Sequence, residues 1–148
     1  MPDVLLDSTT YIDLEKAVKH RRESWAVNSI AHILRYRQEN GNLYLSIVTA
    51  VEILRGFHRS VDTTKVDRFK QTTPTFYNFL DITTDVGYLA SEIIGSLEDR
   101  RQAIGFPDCL IAATAIHHGL DLITSNDRHF QRVINLGYPV TLQNWRNV

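Results

Sequence analysis

The chain has 148 residues, of which 43% are hydrophobic and 22% are charged; this composition suits one domain over residues 1–148 and argues against long disordered stretches. A formal net charge of −1 gives no general attraction for nucleic acid, so any such binding depends on local clusters. The sequence has no apolar run of membrane-spanning length, no secretory signal pattern and a single cysteine, Cys109, which together predict a cytoplasmic protein.

The first predicted element is a short apolar strand over residues 4–7 that ends in the carboxylate of Asp7. Hydrophobic residues then recur at helical spacing from Tyr11, so a helix begins soon after this strand. Asp7 fits two roles there, the N-cap of the helix or a functional carboxylate. An amphipathic second helix is predicted over residues 24–39.

A second strand at residues 43–46 leads into a helix over residues 47–59. Glu52 lies about one and a half turns into this helix, and Arg55 shares its face because helical residues three apart are neighbours. Taken alone, this pair suits an exposed Glu beside an Arg.

The next segment, residues 61–77, has a helical pattern that Pro74 interrupts. We expect one helix there and then a turn or a second short helix, because proline cannot continue the backbone hydrogen bonds. A third strand is predicted at residues 79–83, followed by a helix that runs to about Arg101.

The segment over residues 105–119 predicts a largely buried helix. Pro107 fits its start, Asp108 lies in the first turn, where the helix dipole favours a negative charge, and Gly119 supplies a left-handed stop. Residues 120–124 then predict a buried parallel strand with a polar end. A short helix over residues 129–134 and an edge strand over residues 138–141 complete the chain.

This order of elements predicts an α/β fold, a three-layer α/β/α sandwich with a central, mainly parallel sheet of about five strands. Ligands bind such sheets beyond the carboxyl ends of the strands. Four polar positions fall at that edge: Asp7, Glu52, Asp108 and the pair Asn126-Asp127. Converging carboxylates raise one another's pKa unless a cation neutralises them, and oxygen ligands without His or Cys suit Mg²⁺ or Mn²⁺. We therefore expect phosphoryl chemistry.

Four segments together give the chain a specific resemblance to a known family. They are residues 5–9 (LLDST), 46–56 (SIVTAVEILRG), 107–115 (PDCLIAATA) and 122–130 (LITSNDRHF). Their order and spacing resemble those of the PIN-domain ribonucleases, and within them the VapC-type toxins of bacterial and archaeal toxin–antitoxin pairs. The resemblance implies a metal-dependent endoribonuclease that hydrolyses RNA phosphodiester bonds.

The same resemblance implies the roles of individual residues. Asp7, Glu52 and Asp108 correspond to the family's catalytic, metal-binding carboxylates. Asn126 stands where many members have Asp, so either Asn126 or Asp127 would complete the metal site, and the second of two metal ions is the one in question. Candidate substrate-binding residues are Ser8, Thr9, Arg55, Thr124 and Asn126, although the hydroxyl groups also suit turns and caps, and Arg55 also suits an ion pair.

The three histidines near the motifs, His117, His118 and His129, lack the spacing of a zinc site, which favours surface or helix-end roles. A haloacid-dehalogenase phosphatase also ends its first strand in Asp, but it needs a second Asp where this chain has Thr9. A receiver domain needs a distal Lys that is not matched here. A binding module with the same fold and a weakened site is the alternative that Asn126 favours.

The resemblance also implies partners for the chain: an RNA substrate, a cognate antitoxin and a second copy in a homodimer, with no membrane. Residues 25–37 and 55–69 are the candidate docking surfaces, because their aromatic side chains look exposed and stand beside basic residues.

Overall fold

The computed structural model describes residues 2–39 and 41–148. In these residues an α-helix follows nearly every strand, and the chain alternates between the two as expected for an α/β protein. The strands are β1 (Val4–Leu6), β2 (Leu43–Ser46), β3 (Asn78–Leu80), β4 (Asp121–Ile123) and β5 (Leu142–Gln143). The helices are α1 (Ser8–Ala17), α2 (Ser24–Gln38), α3 (Ile47–Arg59), α4 (Thr63–Phe76), α5 (Thr84–Asp99), α6 (Phe106–His118) and α7 (Asp127–Asn135).

The five strands form one sheet in the order β3-β2-β1-β4-β5, and every neighbouring pair is parallel. The central strand is β1, where Leu5 pairs with Tyr44 of β2 on one side and with Leu122 of β4 on the other. The chain first builds outward from β1 to β3 and then returns to the other side of β1. The strand order therefore reverses beside β1, and the crevice at the carboxyl ends of β1 and β4 is the expected ligand site.

Alternate residues of β1 face opposite layers of the molecule. Leu5 packs into a core with α5, α6 and α7, whereas Val4 and Leu6 pack into a second core with the first four helices. Both faces of the sheet are thus covered, which is why its strands are apolar throughout. The predicted α/β/α sandwich with five parallel strands is confirmed. No helix within the described residues is long and apolar enough to cross a membrane.

The prediction of a break at Pro74 is wrong, because α4 is one helix with Pro74 inside its last turn. Pro74 lacks the N–H group that would bond to the carbonyl of Lys70, four residues earlier. Lys70 is exposed, so water can take that place. The helical pattern resumes at once, since the N–H of Tyr77 donates to the carbonyl of Thr73 at 3.0 Å.

Two edge strands lie elsewhere than predicted. The last one is β5 rather than residues 138–141, and β3 covers Asn78–Leu80 rather than residues 79–83. A left-handed turn at Gly137 (φ 100°) and the missing N–H of Pro139 keep residues 138–141 out of strand conformation. Regular pairing with β4 therefore starts only at Leu142.

Candidate active site

Asp7 lies at the carboxyl end of β1 and is 2% exposed. Its Oδ1 accepts the backbone N–H of Thr10 at 3.0 Å and the hydroxyl of Thr9 at 2.7 Å, while its Oδ2 accepts the hydroxyl of Thr124 at 2.5 Å. Asp7 is therefore the N-cap of α1. Both carboxylate oxygens are directed and satisfied by neighbouring donors, so the group is rigidly placed at the edge of the sheet.

Hydrogen bonds of threonine hydroxyl groups link the carboxyl ends of β1 and β4. The hydroxyl of Thr9 accepts the backbone N–H of Ser125 at 3.1 Å, and that of Thr10 donates to the carbonyl of Ile123 at 3.0 Å. The Thr124 hydroxyl, which donates to Asp7, also accepts the N–H of Asn126 at 2.9 Å. The hydroxyl groups of Thr9 and Thr124 are thus engaged within the protein and fix the site, as turn and cap residues do.

Glu52 reaches the same edge from the middle of α3. Its Oε1 is buried and has no hydrogen-bond partner among the described residues. Burial raises the pKa of the Glu52 carboxyl, and the negative charges of Asp108 and Asp7 raise it further, whereas the nearby Ser8 hydroxyl and the Arg55 guanidinium act in the opposite direction. An unpaired buried carboxylate oxygen is costly and marks a place for a positively charged or donating group.

Asp108 lies in the first turn of α6, and its Oδ2 is 3.0 Å from Nδ1 of His129. The same Nδ1 is 2.9 Å from the side-chain amide of Asn126. His129 lies in the first turn of α7 with its side chain 41% exposed, which agrees with the expected surface or helix-end position. Its ring contacts with Asp108 and Asn126 were not anticipated from the sequence. The missed signal was its spacing from Asn126: residues three apart on a helix that starts at the end of β4 share a face.

Asp127 and Arg55 were also predicted as site residues, and neither belongs to the carboxylate cluster. Asp127 is exposed, and its oxygens lie 3.3 and 3.4 Å from the side-chain amide of Asn144, so the structure does not bring it into the cluster. Arg55 is exposed on α3 one turn beyond Glu52. It is close enough to Glu52 for its positive charge to lower the pKa of the Glu52 carboxyl.

The charges of Asp7, Glu52 and Asp108 act on one another. Burial raises the pKa of Asp7 above its usual range, the hydrogen bonds from Thr124, Thr10 and Thr9 lower it, and the charge of Asp108 raises it again. Within residues 2–39 and 41–148, no three His, Cys, Asp or Glu side chains already form a group drawn tightly enough to hold a metal ion.

The chemistry of the donor set nevertheless fits a hard divalent cation. Three carboxylates meet at one edge, two of them have raised pKa values, and one buried oxygen of Glu52 is unpaired. Hard cations prefer such oxygen ligands and keep several waters of their own, so a few protein ligands suffice. Binding there would relieve the repulsion that the carboxylates exert on each other.

The PIN domain family model matches residues 4–136 of the chain. That span contains the whole cluster described above, from Asp7 to His129. The chain belongs to the PIN domain family.

Relatives with assigned activities carry the VapC name. The chain is 33% identical over 99 residues to ribonuclease VapC1 of Rickettsia felis, which covers 65% of this chain and 74% of that protein. It is 31% identical over 106 residues to ribonuclease VapC1 of Methanocaldococcus jannaschii, covering 72% and 75%. The resemblance to VapC-type PIN proteins that the four motifs indicated is thereby confirmed.

A solved structure of VapBC-1 from nontypeable Haemophilus influenzae has the same fold, with a TM-score of 0.76 and 24% identity over 96% of this chain and 97% of that one. FitAcB from Neisseria gonorrhoeae superposes with a TM-score of 0.73 at 19% identity, covering 98% and 99%.

Proposed function

We propose that this protein is a metal-dependent endoribonuclease that hydrolyses RNA phosphodiester bonds, and that it is the toxin of a toxin–antitoxin pair. The observation that carries the proposal is the convergence of Asp7, Glu52 and Asp108 at the strand edge, with a buried Glu52 oxygen left unpaired. The ribonuclease names of the VapC relatives support the same activity.

The residues of the site have different roles in this mechanism. Asp7, Glu52 and Asp108 would hold Mg²⁺ or Mn²⁺, and such an ion activates water as the nucleophile and stabilises the charge that develops on phosphate. Thr9 and Thr124 hold the Asp7 carboxylate in one orientation. With three carboxylates and no acid at position 126, one metal ion is better provided for than two.

Arg55 is the basic side chain best placed to hold the RNA backbone beside this cluster. It lies one helical turn beyond Glu52 and is exposed, and a guanidinium binds phosphate through two parallel hydrogen bonds. The net charge of −1 supplies no general attraction, so local contacts of this kind carry RNA binding. Such a nuclease acts in the cytoplasm, where a buried, unpaired Cys109 thiol stays reduced.

The direct test is cleavage of a mixed RNA pool by the purified protein with Mg²⁺, with Mn²⁺ and with EDTA. Asp108→Asn removes one carboxylate of the cluster, and Asp99→Asn, at the exposed end of α5, is the matched control. The proposal expects cleavage that requires metal, persists in Asp99→Asn and is lost in Asp108→Asn. Sequencing of the fragment ends then gives the preferred RNA sequence.

A binding module without cleavage is the second candidate, and Asn126 is the residue that favours it. This candidate expects no metal-dependent cleavage from folded protein that is free of antitoxin. It also expects that metal leaves the melting temperature unchanged, because no cation would bind the native state preferentially.

For the antitoxin and a second copy of the chain, the candidate surface over residues 25–37 is kept, but different side chains form its exposed apolar part. Tyr36 and Phe69 are buried, and Phe57 and Trp25 are half-buried, with the Arg146 guanidinium 4.9 Å from the centre of the Trp25 ring. The aromatic side chains that looked exposed in the sequence therefore offer little free surface. The exposed apolar side chains on α2 are instead Val27 and Leu34, at 51% and 54% exposure. We expect antitoxin binding to abolish RNA cleavage and light scattering to show a homodimer.

A further inference from the structure

The Nδ1 atom of His129 has two polar neighbours and can satisfy them in only one way. It lies 3.0 Å from Oδ2 of Asp108 and 2.9 Å from the side-chain amide of Asn126. A neutral imidazole carries either one hydrogen or one lone pair on this nitrogen. Facing a carboxylate, Nδ1 carries the hydrogen and donates it to Asp108, which gives a charge-assisted bond.

This assignment decides what Asn126 does. Asn126 presents its amide nitrogen, Nδ2, to the ring, and an Nδ1 that donates cannot accept a hydrogen from it. We therefore assign the amide the other way round, with its oxygen toward Nδ1, because the two orientations of an amide are told apart only by their hydrogen bonds. The one hydrogen on Nδ1 is then shared between the Asp108 carboxylate and the Asn126 oxygen. The Asn126 oxygen is then occupied by His129. That oxygen is therefore directed at the ring and not toward a cation.

The segment that carries both residues is firmly held. Asn126 is the N-cap residue of α7, and its backbone N–H donates to the Thr124 hydroxyl, which itself donates to Asp7. His129 follows one turn later on the same helix. One short stretch of chain, residues 124–129, therefore fixes a carboxylate of β1 and a carboxylate of α6 at the same time.

We propose that Asn126 and His129 are positioning residues, in which Asn126 orients the His129 ring and His129 holds the Asp108 carboxylate in the direction needed for metal binding. The fourth position of the site thus acts through Asp108 and not as a ligand. This inference rests on the proposed metal-dependent function. It also gives a reason for an amide at this position: three carboxylates around a divalent cation leave less excess negative charge to repel an RNA phosphate than four would.

The test measures Mn²⁺ affinity of the RNA-free protein by electron paramagnetic resonance, beside kcat and KM for RNA at saturating Mn²⁺. His129→Ala should weaken Mn²⁺ binding by about tenfold or more, as loss of a partner behind a metal ligand does. His129→Asn should keep affinity within about threefold of wild type, because its amide N–H can take the place of Nδ1–H. His118→Ala, at the exposed end of α6, is the control and should change nothing.

The KM for RNA should stay constant in His129→Ala while kcat falls, since the ring acts on Asp108 and not on the substrate. If His129→Asn loses as much Mn²⁺ affinity as His129→Ala, the ring itself binds the metal and the positioning role is overturned. Unfolding curves of both variants show whether each is folded, and His129→Asn decides the matter if His129→Ala is not.

A double-mutant cycle separates the two roles of Asn126. If Asn126 works through His129, the Asn126→Ala/His129→Ala variant binds Mn²⁺ no more weakly than His129→Ala alone. Additive losses would make Asn126 a metal ligand and overturn the inference. Asp108→Asn distinguishes the larger failure: if it retains wild-type Mn²⁺ affinity, the proposed metal site itself is wrong, whereas its loss beside an unaffected His129→Ala refutes only the positioning role.

Discussion

Substitutions of Asp7 should separate its contribution to the stability of the fold from its role in RNA cleavage. Asp7→Ala removes the N-cap of α1, which costs about 0.5–2 kcal/mol. It also leaves the buried Thr124 hydroxyl without its acceptor, a further cost of about 1–3 kcal/mol. Part of this is offset, because a carboxyl whose pKa is raised by burial is also removed. We expect a net loss of about 2–4 kcal/mol of unfolding free energy.

Asp7→Asn should behave differently. Its amide oxygen can still accept the N–H of Thr10 and the hydroxyl of Thr9. Its NH2 group replaces the acceptor of the Thr124 hydroxyl but can donate to that oxygen, so the contact is kept with its direction reversed. A neutral amide also avoids the cost of burying a charge, which offsets the weaker contact. We expect its unfolding free energy to stay within about 1 kcal/mol of wild type. Both variants should lose RNA cleavage, since neither keeps the carboxylate.

Urea unfolding followed by tryptophan fluorescence measures these differences, because Trp145 is buried and reports on global unfolding. Asp62→Ala is a matched control: Asp62 also caps a helix, α4, through one bond to the N–H of Lys65, but it serves no buried hydroxyl. It should cost about 1 kcal/mol. Equal destabilisation in Asp7→Asn and Asp7→Ala, or an Asp7→Ala variant no less stable than Asp62→Ala, would refute the reasoning.

Three further outcomes are expected. Arg146→Ala leaves the buried Asp13 without its two 2.6 Å hydrogen bonds and should lower the free energy of unfolding by about 1–3 kcal/mol, measured by urea unfolding. This cost is smaller than for a fully buried pair because the Arg146 side chain is 43% exposed. A loss smaller than that of Arg146→Lys would contradict the prediction. Asp127→Asn should cleave RNA at a rate within about twofold of wild type. A loss of cleavage as large as that of Asp108→Asn would show that Asp127 is a metal ligand after all. The folded state raises the pKa of Asp7 and Glu52, so the metal-free fold binds their protons more tightly than the unfolded chain does. The melting temperature should therefore fall as pH rises from about 4 to neutrality, and Mn²⁺ should reverse that fall. An Asp7→Asn/Glu52→Gln variant should show neither change.

The carboxylate edge could be predicted from the sequence because each acid sits at a definite place in a repeating pattern. Asp7 ends an apolar strand, and Asp108 lies in the first turn of a helix closed by Gly119, whose φ is 65° as expected. In a parallel sheet the carboxyl ends of the strands meet at one edge, and a helix that leads back to the next strand begins near that same edge, so Asp7 and Asp108 are expected on the same side of the sheet. Local pattern and fold agree at these positions.

Other parts depended on contacts that no local pattern contains. The contact between His129 and Asp108 depends on where α6 places Asp108, 21 residues earlier in the chain. The two-residue strand β5 is defined by pairing with β4, not by its own composition. The continuity of α4 through Pro74 depends on Pro74 falling in the last turn, after an exposed Lys70. Each of these outcomes was decided by tertiary neighbours.

The placement of β4 beside β1 also determines how early in synthesis the active site can assemble. The N–H of Asp7 donates to the carbonyl of Ile123 at 3.0 Å, and its side chain depends on Thr124. At about 5–20 residues per second, the ribosome reaches that strand roughly 6–25 s after it has made Asp7. A nascent chain therefore carries the Asp7 carboxylate without its support, and RNA beside the ribosome meets a complete site only once residues 121–129 have also emerged.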